Sequence, residues 1–378
     1  MTFAIVGEDV VPETGGVADL THSHASGASE MGVNVSLITD KKELLGRKTS
    51  YEVKVVKKKY ERWYNVIKEN NKKIREIIND VNPSFILINY IASYAGHLSQ
   101  SAAMVARSEG IPFGFLAHGQ EFLWSDMFRR VLRLHSTRGA RMIVASSQYT
   151  AGLVKSNLFW QVPTHVVNPG TDMISHRASE TEIRNFRERY GISGENIIGT
   201  LGRLVERKGH DQVIRSLRSI DVHGDIEYLV AGSGSRDRLE KIAREEGVRE
   251  NVRFLGRIHE SEKAPFLGLC DVFVMPSRRI GKRSVEGFGI VFAEAAASGT
   301  VTVAADTGGV SDAIKFGETG LQVDPKSSKD ISKKISFLLN NNVERKSMED
   351  KAVSFAEKKL HYKESAKRLV SKVEKYIR

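Results

Sequence analysis

The sequence predicts an α/β protein made of two Rossmann-like, doubly wound parallel-sheet domains. Three observations lead there. Short apolar strands alternate with helical patterns along the chain, the arrangement of parallel sheets covered on both faces. The strand candidates fall into two sets of six. And 378 residues exceed what one ordinary core accommodates.

The first set reads "FAIVG", "NVSLIT", "FILIN", "FGFLAHG", "MIVASS" and "HVVNPG". The second reads "IIGTLGR", "EYLVAGSG", "VRFLGR", "DVFVMPS", "VTVAAD" and "LQVDP". Residues 1–170 are expected to form the first domain and 196–355 the second, with 171–195 a polar linker. The tail 356–378 continues a helical pattern, broken near His361, and is expected to pack back on the first domain. In such sheets ligands bind beyond the carboxyl ends of the strands, so two facing sheets are expected to line a cleft with strand-end loops.

Composition narrows the class. Hydrophobic residues at 40% and charged residues at 27% describe a globular protein. No apolar run approaches the roughly 20 residues of a membrane span. The opening "MTFAIVGEDV" enters a strand without a basic segment or cleavage site, so a cytoplasmic location is expected. The lone Cys270 fits a reducing compartment and is expected to fill a small core position. A net charge of +11 suggests an anionic partner. The excess is shared by both halves, five in residues 1–170 and six in the rest, with no basic tail. Of the three candidates, nucleic acid, a membrane surface or a phosphorylated substrate, that distribution weakens the first.

"VVPETGGVADL" follows the first strand and opens a helix, where Gly15 and Gly16 permit close approach to an anion, the alternative being a simple strand-to-helix turn. Neither a dinucleotide fingerprint nor a P-loop is present; "AGSGSRD" comes nearest but has Asp237 at the third glycine position. In "IIGTLGRLVERKGHDQVIRSL", Arg203 and Lys208 flank a strand-end loop and form a candidate diphosphate clamp, the alternative being a solvated basic loop. Arg207 looks no different from its neighbour. No D-x-D, HExxH or His/Cys cluster occurs, so metal-independent chemistry is expected. His22 and His24 are expected on a helix face.

"SVEGFGIVFAEAAASG" carries Glu286 and Glu294 around an apolar run. With a helix starting near Gly287, the acids stand roughly 12 Å apart along its axis. They are spaced for two parts of one long ligand; a helix cap plus a surface Glu is the alternative.

Together, "TGG", "AHG", "NPGTD", "LGRLVERKG", "VAGSG", "RFLGR", "DVFVMPS", "EGFGIVFAEAAASG", "TGG" and "GETGLQVDP" resemble, in order and over nearly the whole chain, the retaining glycosyltransferases of family 4, which have the GT-B fold. "LAHGQEF" and "SRRIGKRSVEGFGIVFAEA" look most like the branch holding bacterial phosphatidylinositol mannosyltransferases and capsule or exopolysaccharide enzymes. The resemblance implies a nucleotide-sugar donor, UDP- or GDP-linked, and no cofactor. It implies that Gly16 offers its amide to the donor phosphate and that His118 faces the donor sugar. Arg203 and Lys208 would hold the diphosphate, and Glu286 would contact the transferred sugar beside the amides of Phe288 and Gly289. Glu294 would take the ribose, and backbone near Arg257 and Ile258 the base. Gly15, Gly232, Gly287 and Ile290 complete the implied donor set. Val301, where the family usually has Pro, and Asp312, where Glu is common, depart from the pattern at packing positions.

The implied reaction is retaining hexosyl transfer to a lipid-linked, polysaccharide or small-molecule hydroxyl. Two carboxylates about 5 Å apart serve retaining glycosidases; Glu286 and Glu294 are expected to lie too far apart for that, so front-face attack is expected. A GT-B nucleotide-sugar epimerase is the alternative, and a nucleic-acid module a distant third. For the acceptor, "KKKYERWYNVIKENNKKIREIIND" places Tyr60, Trp63, Tyr64, Ile67, Ile74 and Ile78 on one helical face, read as a core helix or else a membrane-surface helix. "EFLWSDMFRRVLRLHSTRGARM" poses the same choice, with Trp124, Phe128 and Leu132 against Arg129, Arg130 and Arg133. Peripheral contact with the inner face of a membrane stays open.

Overall fold

The computed structural model describes the chain except residues 9, 11–15, 45–48, 57–62, 92–96, 124–126, 159–160, 282–283 and 378; the side chains of 43, 63–66 and 127–129 also lie outside the description. Two compact units emerge. One comprises Met1–Gly170 with Tyr362–Arg378, the other Thr171–His361.

The first unit carries a parallel sheet of β1 (Thr2–Val6), β2 (Asn34–Thr39), β3 (Glu52–Val55), β4 (Phe85–Asn89), β5 (Phe113–Ala117), β6 (Met142–Ala145) and β7 (Thr164–Val166). Their order is β3-β2-β1-β4-β5-β6-β7. Strand β1 is buried from Phe3 to Val6, and β4 and β5 along their whole length, because helices cover both faces. The sheet has seven strands, not six. Strand β3, "EVKV", alternates charged and apolar residues and stays half exposed at the sheet edge, so it lacks the apolar run that marks a central strand.

The helix Tyr362–Val373 lies along the helix Gly16–Glu30. A Cβ at Gly27 would stand 2.6 Å from that of Ala366, so the two backbones approach closely. His24 Nε2 lies 3.1 Å from Ser365 Oγ, and Tyr362 donates to Glu30 at 2.8 Å. His22 is on the same helix, its Nδ1 2.7 Å from Tyr51 Oη.

The second unit carries β8 (Asn196–Leu201), β9 (Ile226–Ala231), β10 (Val252–Gly256), β11 (Val272–Met275), β12 (Thr302–Ala304) and β13 (Gly320–Gln322), all six expected from sequence. The order is β10-β9-β8-β11-β12-β13. Residues 171–195 hold a short turn and the helix Glu180–Arg189, closed at its start by a reciprocal Ser179–Glu182 capping box. Helical structure runs from Asn342 to Leu360 and breaks at His361, where the backbone turns extended. Cys270 is buried as expected; a Cβ at Gly199 would overlap its sulfur.

Both sheets reverse their strand order once, between β1 and β4 and between β8 and β11. Those reversals leave crevices beyond the strand ends, where ligands of such sheets bind.

Candidate functional site

In the second unit the site grows from the end of β8. Gly202 N–H donates to Ala231 O at 2.9 Å, Leu204 N–H to Ser233 O at 2.8 Å, and Ser235 N–H to Leu204 O at 3.1 Å. The loops after β8 and β9 are thereby stitched together. Gly232 sits at φ 144°, and a Cβ there would overlap Gly202 O, so only glycine lets these backbones meet. His210, buried and held neutral to about pH 4 chiefly by that burial, supports the loop from below, its Nε2 3.2 Å from Arg203 O.

The chain then makes a tight turn, Glu206–Lys208, before the helix His210–Leu217. This turn decides which cations face inward. Arg203 is exposed; Arg207 and Lys208 are buried. Both inward cations reach the same atom, Glu286 Oε2, Lys208 Nζ at 2.7 Å and Arg207 Nη1 in a close ion pair.

Glu286 is placed by its backbone. Gly309 N–H donates to Glu286 O at 3.0 Å, and Thr307 Oγ1 donates to Ser277 O at 2.7 Å. A Cβ at Gly308, at φ 66°, would overlap Glu286 O, so the second "TGG" holds the acid by direct backbone contact. Arg278 ties the same region to the β8 loop: it grips Asp211 through two bonds, at 3.0 and 2.9 Å, and its N–H donates to Arg207 O at 2.8 Å.

The electrostatics are uneven. Burial presses Glu286 toward its neutral form, yet Lys208 and Arg207 overcome this and hold its pKa down to about 2. Lys208 shifts the other way: burial lowers its pKa, Arg207 adds to that, and Glu286 compensates only in part. The two shifts together describe two buried cations sharing one carboxylate. The cluster is short of negative charge.

Glu294 lies on the helix Ile290–Ser298, not on one starting near Gly287 as the spacing suggested. Gly287, Phe288 and Gly289 form the approach to that helix, with the Phe288 side chain in the core, and no side chain caps the start at Ile290. Apart from Glu294 the residues Val291–Ala297 of this helix are apolar, because all of them are buried. Glu294 pairs with Lys263 at 3.1 Å, and its pKa is raised by burial against the pull of that lysine. Lys263 opens the helix that follows Arg257 and Ile258, so the pair joins the loop after β10 to Glu294. Glu286 and Glu294 thus serve different cations.

In the first unit, Gly16 is the exposed first residue of its helix, and Gly15 lies outside the described residues. His118 is buried just past β5. Its N–H donates to Glu121 Oε1 at 2.8 Å, and its Nε2 lies 2.6 Å from Asn89 Oδ1 at the end of β4. Burial lowers its pKa to about 3 and raises that of Glu121 to about 7. In the two amphipathic stretches, Ile74 and Ile78 are core residues, as the core-helix reading has it, and Ile67 is half-buried; Tyr60 and Trp124 and the side chains of Trp63, Tyr64, Phe128 and Arg129 lie outside the description. Arg133, expected on a basic face, is instead almost fully buried and donates to Glu121 O at 2.9 Å, since a buried helix-end carbonyl takes its charge inward.

The structure therefore joins Lys208 with Glu286, gives Glu294 its own lysine, and leaves Arg203 at the surface. Sequence reasoning missed Arg207, which only the turn geometry separates from Arg203, and the Arg278–Asp211 pair. Among the described residues no group of three or more His, Cys, Asp or Glu side chains is placed to hold a metal ion, and no helix is long and apolar enough to cross a membrane.

Comparison with known proteins shows what the chain is similar to. A family model described as Glycosyltransferase Family 4 matches residues 14–173, and one described as Glycosyl transferases group 1 matches 182–355. A GDP-mannose-dependent alpha-(1-6)-phosphatidylinositol monomannoside mannosyltransferase of Mycobacterium tuberculosis is 33% identical over 227 residues, 59% of each chain. A monoacylated phosphatidylinositol monomannoside mannosyltransferase of Corynebacterium glutamicum, also named GDP-mannose-dependent, is 33% identical over 61% of each chain. The match thus spans about three fifths of these relatives' length. Among solved structures, a glycosyltransferase from Rickettsia africae superposes with a TM-score of 0.83 at 18% identity, covering 100% of this chain and 98% of that one. HepE of Anabaena, in complex with UDP and glucose, superposes with a TM-score of 0.80 at 17% identity, covering 99% and 100%. These likenesses bear out the expected fold.

Proposed function

We propose that this chain, which belongs to the family 4 glycosyltransferases through the two domains matched above, transfers a hexose from a nucleotide diphosphate sugar to a hydroxyl acceptor with retention of configuration. One observation carries the reading: Arg207 and Lys208, two buried cations beyond the end of β8, share the single carboxylate of Glu286. A diphosphate supplies the missing negative charge. Exposed Arg203, on the same loop, adds a third cation to that task.

In this reading Lys208 and Arg203 grip the diphosphate while Arg207 keeps Glu286 in place against the sugar. The uncapped start of Ile290–Ser298 offers further N–H donors to the phosphates. Glu294 takes the ribose hydroxyls in place of Lys263. The C1–phosphate oxygen bond breaks, the acceptor oxygen bonds C1 on the same face, and its proton passes to the departing phosphate oxygen. Cations aimed at that oxygen stabilise the charge growing there. No metal and no cofactor are needed. Gly16 and His118 keep, as part of the proposal, the roles toward phosphate and sugar that the family resemblance implies.

GDP-mannose is the first donor to test, since relatives at 33% identity are named for it, and a phosphatidylinositol mannoside the first acceptor. Thermal shift against GDP, UDP and ADP and their sugars reads donor binding, since a ligand at 100 times its Kd adds about 2.7 kcal/mol. Transfer assays then use mannoside-bearing vesicles, with the anomer read by NMR. No shift with any nucleotide ends the donor reading; an inverted product ends retention. Activity abolished by EDTA and restored by Mg²⁺ ends metal independence. Conversion of a nucleotide sugar without acceptor would establish the epimerase alternative. Peripheral membrane contact is tested by flotation with anionic vesicles at low salt, and absence of binding refutes it.

A further inference from the structure

His118 is held by a chain of polar groups that runs back to the helix Gly16–Glu30. Thr21 Oγ1 donates to Val17 O at 2.8 Å, the back-bond of a helical threonine. Its proton committed, it accepts from Asn89 Nδ2 at 3.0 Å. That orients the amide, so Asn89 Oδ1 is the atom 2.6 Å from His118 Nε2. An amide oxygen only accepts, so Nε2 carries the proton. The ring is neutral, because burial holds its pKa near 3. A neutral imidazole protonated at Nε2 keeps its lone pair on Nδ1. That atom has no hydrogen-bond partner among the described residues, and His118 keeps 8% exposure where His24 keeps none.

The ring plane is fixed as well. Tyr90 packs edge-on against it with centroids 4.8 Å apart. Tyr90 holds φ 70°, a left-handed conformation that costs about 1–3 kcal/mol in a side-chain-bearing residue and persists where surroundings over-determine it.

We propose that Asn89 is a positioning residue: its amide oxygen fixes His118 as the Nε2–H tautomer and leaves the Nδ1 lone pair to accept a hydrogen bond from a hydroxyl of the bound sugar. The ligand rests on the function proposed above; the tautomer does not. His118 then works as an acceptor and cannot serve as the acid that protonates a leaving group.

The test begins without substrate. In the full chain labelled with ¹⁵N-histidine, long-range ¹H–¹⁵N correlation reads the tautomer, with His118→Gln identifying the signal. A proton on Nε2 and a bare Nδ1 are expected; a proton on Nδ1 overturns the proposal. The second arm is kinetic, with GDP-mannose as donor. Asn89→Leu is expected to lower kcat by about 10–100-fold with a smaller change in KM, while its melt stays cooperative. Asn89→Asp should raise the ring's pKa, charge it, and create an acidic limb in the kcat profile that the wild type lacks. An Asn89→Asp profile that overlays the wild type refutes the positioning role. If the wild type transfers no sugar, the transfer reading falls alone, and the tautomer still decides this one.

Discussion

Replacing Glu286 with Gln removes the charge that two buried cations share while keeping the side chain's shape. Its magnitude can be worked from the ion cluster. A pKa lowered from 4.5 to about 2 expresses about 3 kcal/mol of preference for the charged form in the folded state. The side chain is only 11% exposed, so solvent screens little of this. Burial of Lys208 opposes part of it, and the loss expected at pH 7 is about 2–3 kcal/mol. For a unit of this size that lowers the melting temperature by roughly 4–12 °C.

The pH dependence follows from the direction of the shift. A carboxylate whose folded pKa is depressed contributes its full stability above the unfolded value of 4.5 and loses it as pH falls toward 2. The gap between wild type and Glu286→Gln should therefore be constant from pH 7 to about 5, shrink by roughly half near pH 3, and close near pH 2. Differential scanning calorimetry suits the measurement. Fluorescence does not, because Trp63, Trp124 and Trp160 all belong to the first unit. Melting within about 1 °C of wild type at pH 7, or a gap unchanged on acidification, would refute the shared-carboxylate account.

Three further outcomes are expected. Arg203→Ala and Lys208→Ala should each slow transfer by roughly 10²-fold at saturating donor, about 3 kcal/mol of stabilisation at the leaving phosphate, and near-native kcat in both would end the clamp assignment. Gly308→Ala should push the Glu286 backbone away and weaken donor binding by about 10-fold or more in calorimetric titration, since the added strain is about 1–3 kcal/mol; unchanged affinity would show that the second glycine pair does not place the acid. Cys270 should resist thiol reagents in the native protein and react on unfolding, because burial raises its pKa well above the ordinary range, with Asp271 adding to this; rapid native labelling would contradict its core position.

Much of this molecule was legible in its sequence because the relevant signals are local. Strands β8, β9, β11 and β12 are short apolar runs followed within two residues by Gly, Pro or Asp, and a strand buried on both faces leaves no other pattern. His118 stands directly after β5, and Lys208 and Glu286 in the loops that lead from β8 and β11 to the next helices, where polar residues interrupt apolar ones. Strand β3 escaped because its valines alternate with Glu52 and Lys54, so no apolar run marks it. The helix around Glu294 begins three residues later than its spacing suggested, since two glycines delay it.

What tertiary structure alone decided is which charges are buried and with whom. Arg203 and Arg207 are the same residue type four positions apart; one faces water and the other Glu286, because a turn of three residues points it inward. Arg133 reads as part of a basic face and lies in the interior instead. The proton on His118 depends on a threonine and an asparagine 97 and 29 positions away in sequence. Apolar periodicity sets the fold through neighbours along the chain. Ion pairs and tautomers depend on low-dielectric contacts between distant segments, so only the folded chain fixes them.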